Sequence, residues 1–157
     1  MKFYYVDKEY INYLKKIDSK VTDVDYSSRD KFVCGVLFEI NAHNYYAPIS
    51  SNKTLFKTSF PIYEDDKIIS TVRLSYMFPV PKELLMELNF SEIKKTDDSY
   101  HSLLVKELRY LNHNQDSLVK MAQKVYKIGL NKNHFLNKNC CDFKKLEEAM
   151  DKYDTFN

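Results

Sequence analysis

Residues 31–53, KFVCGVLFEINAHNYYAPISSNK, decide how the rest of the chain is read. Residues 32–40 are rich in β-branched and aromatic side chains, and residues 45–49 repeat that chemistry more briefly, which is what a pleated, half-buried surface selects. Asn41, Ala42, His43 and Asn44 between them have the composition of a hairpin connection, so the two runs are expected to pair as antiparallel strands. Pro48 lies near the end of the second strand, where an edge position tolerates a missing N–H. Ser50, Ser51, Asn52 and Lys53 follow at once as a loop rich in hydroxyls and amines. By composition alone this loop is either a plain turn or a place for chemistry.

Upstream, residues 2–6 read as a first strand, and Asp7 caps a helix whose Tyr10, Ile11, Leu14 and Ile17 share one stripe. Residues 22–30, TDVDYSSRD, are polar and aperiodic; Tyr26 is their one aromatic ring, suited to linking the chain or to stacking on a base. Downstream, residues 60–63 are a short apolar piece and Glu64, Asp65 and Asp66 a solvated turn. Residues 68–79 resume strand chemistry, with Val72, Leu74, Tyr76 and Phe78 alternating against Arg73, Ser75 and Met77. Pro81 leads into a short helix over residues 82–88. Thr96, Asp97, Asp98 and Ser99 open the longest helical pattern, which Asn112, His113 and Asn114 interrupt and for which Gly129 is the expected C-cap. Asp142 starts a last helix carrying Phe143, Leu146, Met150 and Tyr153. Short strands come first and helices mostly later, with no linker or repeat, which argues a single α+β domain over residues 1–157.

A chain of 157 residues that is 44% hydrophobic and 29% charged has a globular balance and room for a core without disulfides or structural metal. A formal net charge of +2 does not announce a nucleic-acid binder. The distribution is more telling: Lys120, Lys124, Lys127, Lys132 and Lys138 lie between Leu118 and Cys141 with no Asp or Glu among them, as a solvated helix face or a nucleic-acid surface would have. Cys34, Cys140 and Cys141 read as reduced thiols, so a cytoplasmic setting is expected. His134 precedes the adjacent cysteines without the paired spacing of a zinc site, the other histidines are scattered, and two glycines hardly build a phosphate loop. Residues 2–9 lack the apolar core of a secretory signal, and no apolar run is long enough to span a bilayer. What remains is chemistry through Lys, Ser and Tyr, with no metal and no cofactor.

Four segments together, MKFYYVDKEYINYLKKID, KFVCGVLFEINAHNYYAPISSNK, VRLSYMFPVP and YHSLLVKELRYLNHNQDSLVKMA, resemble the ToxN and AbiQ endoribonuclease toxins of type III toxin-antitoxin systems over nearly the whole chain. The most specific part is YYAPISSNK, an aromatic residue, Ala-Pro, two hydroxyl residues and then Lys. The resemblance implies a compact, partly open antiparallel β-barrel of the MazF and Kid kind, elaborated with several α-helices. It implies metal-independent cleavage of cellular or phage mRNA that leaves a 2′,3′-cyclic phosphate and a 5′-hydroxyl. It further implies inhibition by a small pseudoknotted antitoxin RNA that the toxin itself processes, a closed protein–RNA hetero-oligomer, and a role in phage defence. By position, the family's hydroxyl pair falls on Ser50 and Ser51, its following lysine on Lys53 and its earlier lysine on Lys31, while Tyr26 is the displaced counterpart of an upstream tyrosine. Lys120, Lys124, Lys127, Lys132 and Lys138 then become the expected RNA-binding surface, joined by Lys2 and Arg29.

The chemistry has its own logic. In RNA transesterification the 2′-oxygen attacks the neighbouring phosphorus, so the substrate supplies the nucleophile; the protein aligns it, moves protons and stabilises negative charge. Lys53 and Lys31 suit the last task, and Ser51 is expected to hydrogen-bond the phosphate or the 2′-hydroxyl rather than act as a base. A non-catalytic module that sequesters a structured RNA is the alternative, and Ser51→Ala separates the two.

Overall fold

The structure, a computed structural model, describes residues 1–22 and 34–153. In chain order these form β1 (Phe3–Val6), α1 (Lys8–Ile17), β2 (Gly35–Ile40), β3 (His43–Ser50), β4 (Ser59–Glu64), β5 (Lys67–Arg73), β6 (Phe78–Pro79), β7 (Leu85–Glu87), α2 (Phe90–Thr96), α3 (Asp98–His113), α4 (Gln115–Leu130) and α5 (Phe143–Lys152). The strand pairs are all antiparallel and run in the order β4-β5-β3-β2-β1-β7, with β6 set against β3. The α+β class therefore stands. Among the described residues, however, the path ends at β4 and β7 without closing, so the expected partly open barrel is instead an open sheet. The reason lies in β3, which changes partner along its length: all of it from His43 to Pro48 pairs with β2, Tyr45 and Tyr46 also with β6, and Ile49 and Ser50 with β5.

That change of partner also corrects the reading of Pro48. It sits opposite Gly35 in the middle of the sheet rather than on an edge. Its missing N–H falls between the β6-paired and β5-paired stretches, where no ladder bond is required. Gly35 has no room for a side chain, since a Cβ there would lie 2.4 Å from the carbonyl oxygen of Ala47 and 2.5 Å from the Tyr46 ring.

The hairpin between β2 and β3 is tighter than composition suggested. Only Asn41 and Ala42 turn, at φ 49° and 65°, and His43 is already paired with Ile40. Both turn residues take the left-handed backbone that matches the twist of a two-residue hairpin, a region asparagine tolerates but alanine enters only at a steric cost. Ala42→Gly is expected to stabilise the fold by about 1 kcal/mol, read as a higher midpoint of urea unfolding. An unchanged midpoint would mean that the turn stores no such strain.

Local capping chemistry is as expected. Asp7, Asp97 and Asp142 accept hydrogen bonds from the backbone N–H groups of Tyr10, Tyr100 and Lys145 at 3.1–3.2 Å, opening α1, α3 and α5. The long helical pattern divides at Asn114 into α3 and α4. Three expectations fail for non-local reasons. Residues 82–88 form a single 3-10 turn, Lys82–Leu84, and then β7, because the free edge of β1 takes up Leu85, Met86 and Glu87 as partners. Gly129 is no C-cap; it lies inside α4, where an added Cβ would come within 2.2 Å of the Phe143 ring on α5. The strand expected over residues 68–79 ends at Arg73, passes through a 3-10 turn at Leu74–Tyr76, and resumes as β6. Arg73, Ser75 and Met77, which alternation sets opposite Val72, Leu74, Tyr76 and Phe78, are all buried. Helix α2 carries no sequence expectation.

Both faces of the sheet are covered, so Tyr45 to Ser50 are buried without alternation. Tyr45 meets Tyr126 and Phe143 edge-on at 5.6 and 6.0 Å, and Tyr46 packs on Phe78 at 5.3 Å. Glu147 of α5 is buried against this core and accepts hydrogen bonds from the Tyr45 and Tyr126 hydroxyls at 2.5 and 2.7 Å. Its other oxygen faces Lys144 at 3.6 Å and His43 at 3.9 Å. This network ties the start of β3 to α4 and α5.

Candidate functional site

Residues 51–58 connect β3 to β4 across the end of β5, since Ser50 pairs with Thr71 while Ser59 pairs with Arg73. The loop is built from its own side chains. Ser50 is buried, and its Oγ accepts from the Asn52 N–H at 3.1 Å; the Asn52 Oδ1 accepts from the Thr54 N–H at 3.0 Å. These consecutive side-chain turns replace a ladder the sequence does not offer. The Asn52 carbonyl in turn accepts from the Thr71 Oγ1 at 3.0 Å and from the Arg73 Nη2 at 3.2 Å.

Arg73 is the residue that sequence reasoning missed. It is 3% exposed; its Nη1 donates to the Ser59 Oγ at 2.9 Å and its guanidinium lies over the Phe56 ring, 4.5 Å from the centroid. One side chain thus grips the start, the middle and the end of the loop. Burial pulls its pKa below the usual arginine range, partly offset by Tyr76, yet an arginine stays charged under such conditions. Its partners among the described residues are neutral. A buried cation so placed leaves positive potential directly behind the loop. The only signal for it was an arginine set between Val72 and Leu74.

Held in this way, the loop turns Ser51 and Lys53 outward, both exposed, while Ser50 shapes the backbone beneath them. Tyr26, Arg29 and Lys31 lie outside the described residues. On α4, Lys120, Lys124 and Lys127 are exposed at the spacing of one helix face, and Lys132 and Lys138 are exposed in the segment after it. Lys2 is exposed and pairs with Glu87 at 3.3 Å. It borders an open cavity of about 560 Å³ also lined by Phe3, Asn89, Phe90 and Leu108.

The carboxylate turn is a solvated hairpin, with Glu64 paired to Lys106 at 2.9 Å. Among the described residues no group of three or more His, Cys, Asp and Glu side chains converges as metal ligands do. The thiols of Cys34, Cys140 and Cys141 are free and buried, and burial pushes all three well up from the usual range. No helix of the described residues is long and apolar enough to cross a membrane.

Residues 2–151 match the family model described as Toxin ToxN, type III toxin-antitoxin system. The chain is 33% identical over 162 residues to Endoribonuclease ToxN of Bacillus thuringiensis subsp. kurstaki, covering 97% of this chain and 84% of that protein. Among solved structures it superposes, with a TM-score of 0.85 and 32% identity, on one described as selective toxin inhibition by a non-coding RNA pseudoknot in bacterial type III toxin-antitoxin systems; the match covers 97% of this chain and 96% of that one. A second superposition, with a TM-score of 0.72 and 25% identity over 96% of this chain and 95% of that one, is with AbiQ, described as a lactococcal anti-phage endoribonuclease of a type III system.

Proposed function

Because the chain belongs to the ToxN toxin family of type III toxin-antitoxin systems, we propose that it is an endoribonuclease toxin, cutting RNA without metal by attack of the substrate's own 2′-hydroxyl. Its restraint is a small pseudoknotted antitoxin RNA, bound in a closed protein–RNA assembly and processed by the toxin. Its targets are cellular or phage messages in a bacterial cytoplasm, and its service is phage defence. The observation that carries the reading is the loop of residues 51–58. A buried guanidinium holds a backbone on which one hydroxyl and one ammonium, Ser51 and Lys53, are both turned to solvent.

Chemically this set fits a reaction whose nucleophile is in the substrate. As the 2′-oxygen closes on phosphorus, charge builds on the non-bridging oxygens. Lys53 meets that charge directly, and Arg73 adds to the potential from behind without touching substrate. Ser51 orients the phosphate or the 2′-hydroxyl by hydrogen bonding, which keeps the attacking and leaving oxygens in line. Proton transfer then needs a base and an acid. Lys31 and Tyr26 are the remaining candidates, alongside Lys53 itself for the leaving 5′-oxygen. The exposed lysines of α4 and of the following segment hold the antitoxin RNA through its phosphates, an attraction that salt weakens.

The test is cleavage of an A-rich RNA by purified protein in excess EDTA, with Ser51→Ala beside it and the new 3′ ends identified. Cutting should persist in EDTA, leave cyclic phosphate, and fall by at least about 100-fold in the variant. No cutting, with salt-sensitive RNA binding equal in both proteins, would replace the toxin reading with a sequestering module.

A further inference from the structure

Five large hydrophobic side chains are exposed among the described residues, and four of them, Leu55, Phe56, Leu130 and Phe135, lie in two segments that meet: the loop of residues 51–58 and the end of α4 with the turns after it. The bridge is Lys57, whose Nζ lies 5.3 Å from the centre of the Phe135 ring. On its own side Phe135 is stacked with His134, the rings 4.9 Å apart and 16° from parallel. Phe135 is 66% exposed, and its segment is firmly built. The His134 Nδ1 accepts from the Leu136 N–H at 3.0 Å, and the Asn137 side chain donates to the Ile128 and Gly129 carbonyls at 2.9 and 3.0 Å. The ring is thus held out into water, and such an arrangement marks a contact surface.

Charge says what the surface meets. Lys57 reaches the Phe135 ring, Lys53, Lys132 and Lys138 are exposed in the same two segments, and neither residues 51–59 nor residues 118–141 contain an Asp or Glu. Flat rings beside cations suit unpaired nucleotides, whose bases stack while their phosphates are neutralised. Phe56 lies on Arg73, which holds Asn52 between Ser51 and Lys53, and Phe135 meets the same loop through Lys57, so both rings belong to the surface that carries the proposed cleavage residues. We propose that the His134–Phe135 stack, with Phe56, is a base-stacking platform for unpaired nucleotides beside the cleaved bond of the substrate RNA. It rests on the endoribonuclease reading and adds to it a place where the enzyme reads the strand it cuts.

The experiment compares wild type, Phe135→Ala and Phe135→Trp on a short unstructured RNA, by cleavage kinetics and, in the Ser51→Ala background, by fluorescence anisotropy across salt concentrations. A parallel series places one abasic nucleotide at each position flanking the cut. Phe135→Ala should raise KM and Kd by about 10-fold, act far less on kcat, and leave the salt slope unchanged, while Phe135→Trp restores binding. One abasic position should cost the wild type a similar factor and cost Phe135→Ala nothing further. Cleavage and affinity indifferent to Phe135→Ala would overturn the platform and leave the nuclease standing, with a protein partner then the better occupant. RNA bound but never cut would end the nuclease reading, with the anisotropy series still deciding whether the rings carry bases. Neither binding nor cutting would overturn both.

Discussion

Replacing Lys53 by methionine is expected to slow RNA cleavage by about 10²–10³-fold while changing stability by no more than about 0.5 kcal/mol. Methionine keeps the length and much of the apolar stem and removes only the charge. Lys53 is exposed at the crest of a loop whose own hydrogen bonds run through Ser50, Asn52 and Arg73, so its side chain can go without the loop collapsing. The loss should fall on the chemical step, because the ammonium meets charge that develops as the phosphorus gains its fifth oxygen. Lys53→Arg restores charge but spreads it over a planar fork and should recover only part of the rate. Single-turnover cleavage with protein in excess measures this. A methionine variant within threefold of wild type would remove Lys53 from the machinery.

The second large effect concerns stability. Glu107 of α3 is 3% exposed, its Oε2 has no hydrogen-bond partner among the described residues, and burial pushes its carboxyl up to about 8. It lies close enough to Cys34 and Tyr100 to push both of them upward as well. Well below the usual glutamate range the acid is protonated whether the chain is folded or not, and it carries no penalty. As pH rises past the usual glutamate range the unfolded chain releases the proton and the folded chain keeps it, so stability falls until about pH 8. At 1.36 kcal/mol per unit, this single group removes roughly 4–5 kcal/mol across that window, a large part of what holds an ordinary domain together. Glu107→Gln should flatten the decline. Urea unfolding followed by far-ultraviolet circular dichroism at pH 5 and pH 8 supplies the comparison. Equal pH slopes in the two proteins would show that the carboxyl is solvated or paired.

The two residues differ in how legible they were. Lys53 stood in the sequence as the lysine closing YYAPISSNK, and a motif of consecutive residues needs no fold to be read. Glu107 looked like one more charge on a long amphipathic helix. Only the packing of α3 over β4 and the start of β2 turns it inward. Arg73 is a sharper case: alternation only set it opposite Val72 and Leu74, whereas its partners Asn52 and Ser59 lie 21 and 14 residues away and meet it because β3 and β4 both pair with β5. Phe135 carries no sequence expectation, and its position beside Lys57 depends on two segments far apart in the chain.

By itself, then, the sequence determined whatever short-range chemistry can impose. That includes the β2–β3 hairpin, the helix starts at Asp7, Asp97 and Asp142, the break at Asn114, the α+β class, and the Ser-Ser-Asn-Lys loop. Each depends on a turn, a cap or a period spanning a few neighbouring residues. Tertiary structure alone decided that the sheet stays open, that Pro48 is central, that residues 85–87 leave a helical pattern to pair with β1, and that Gly129 makes room for Phe143. In each of these the deciding partner is distant along the chain. Burial there outweighs the few tenths of a kcal/mol by which local propensity prefers one conformation.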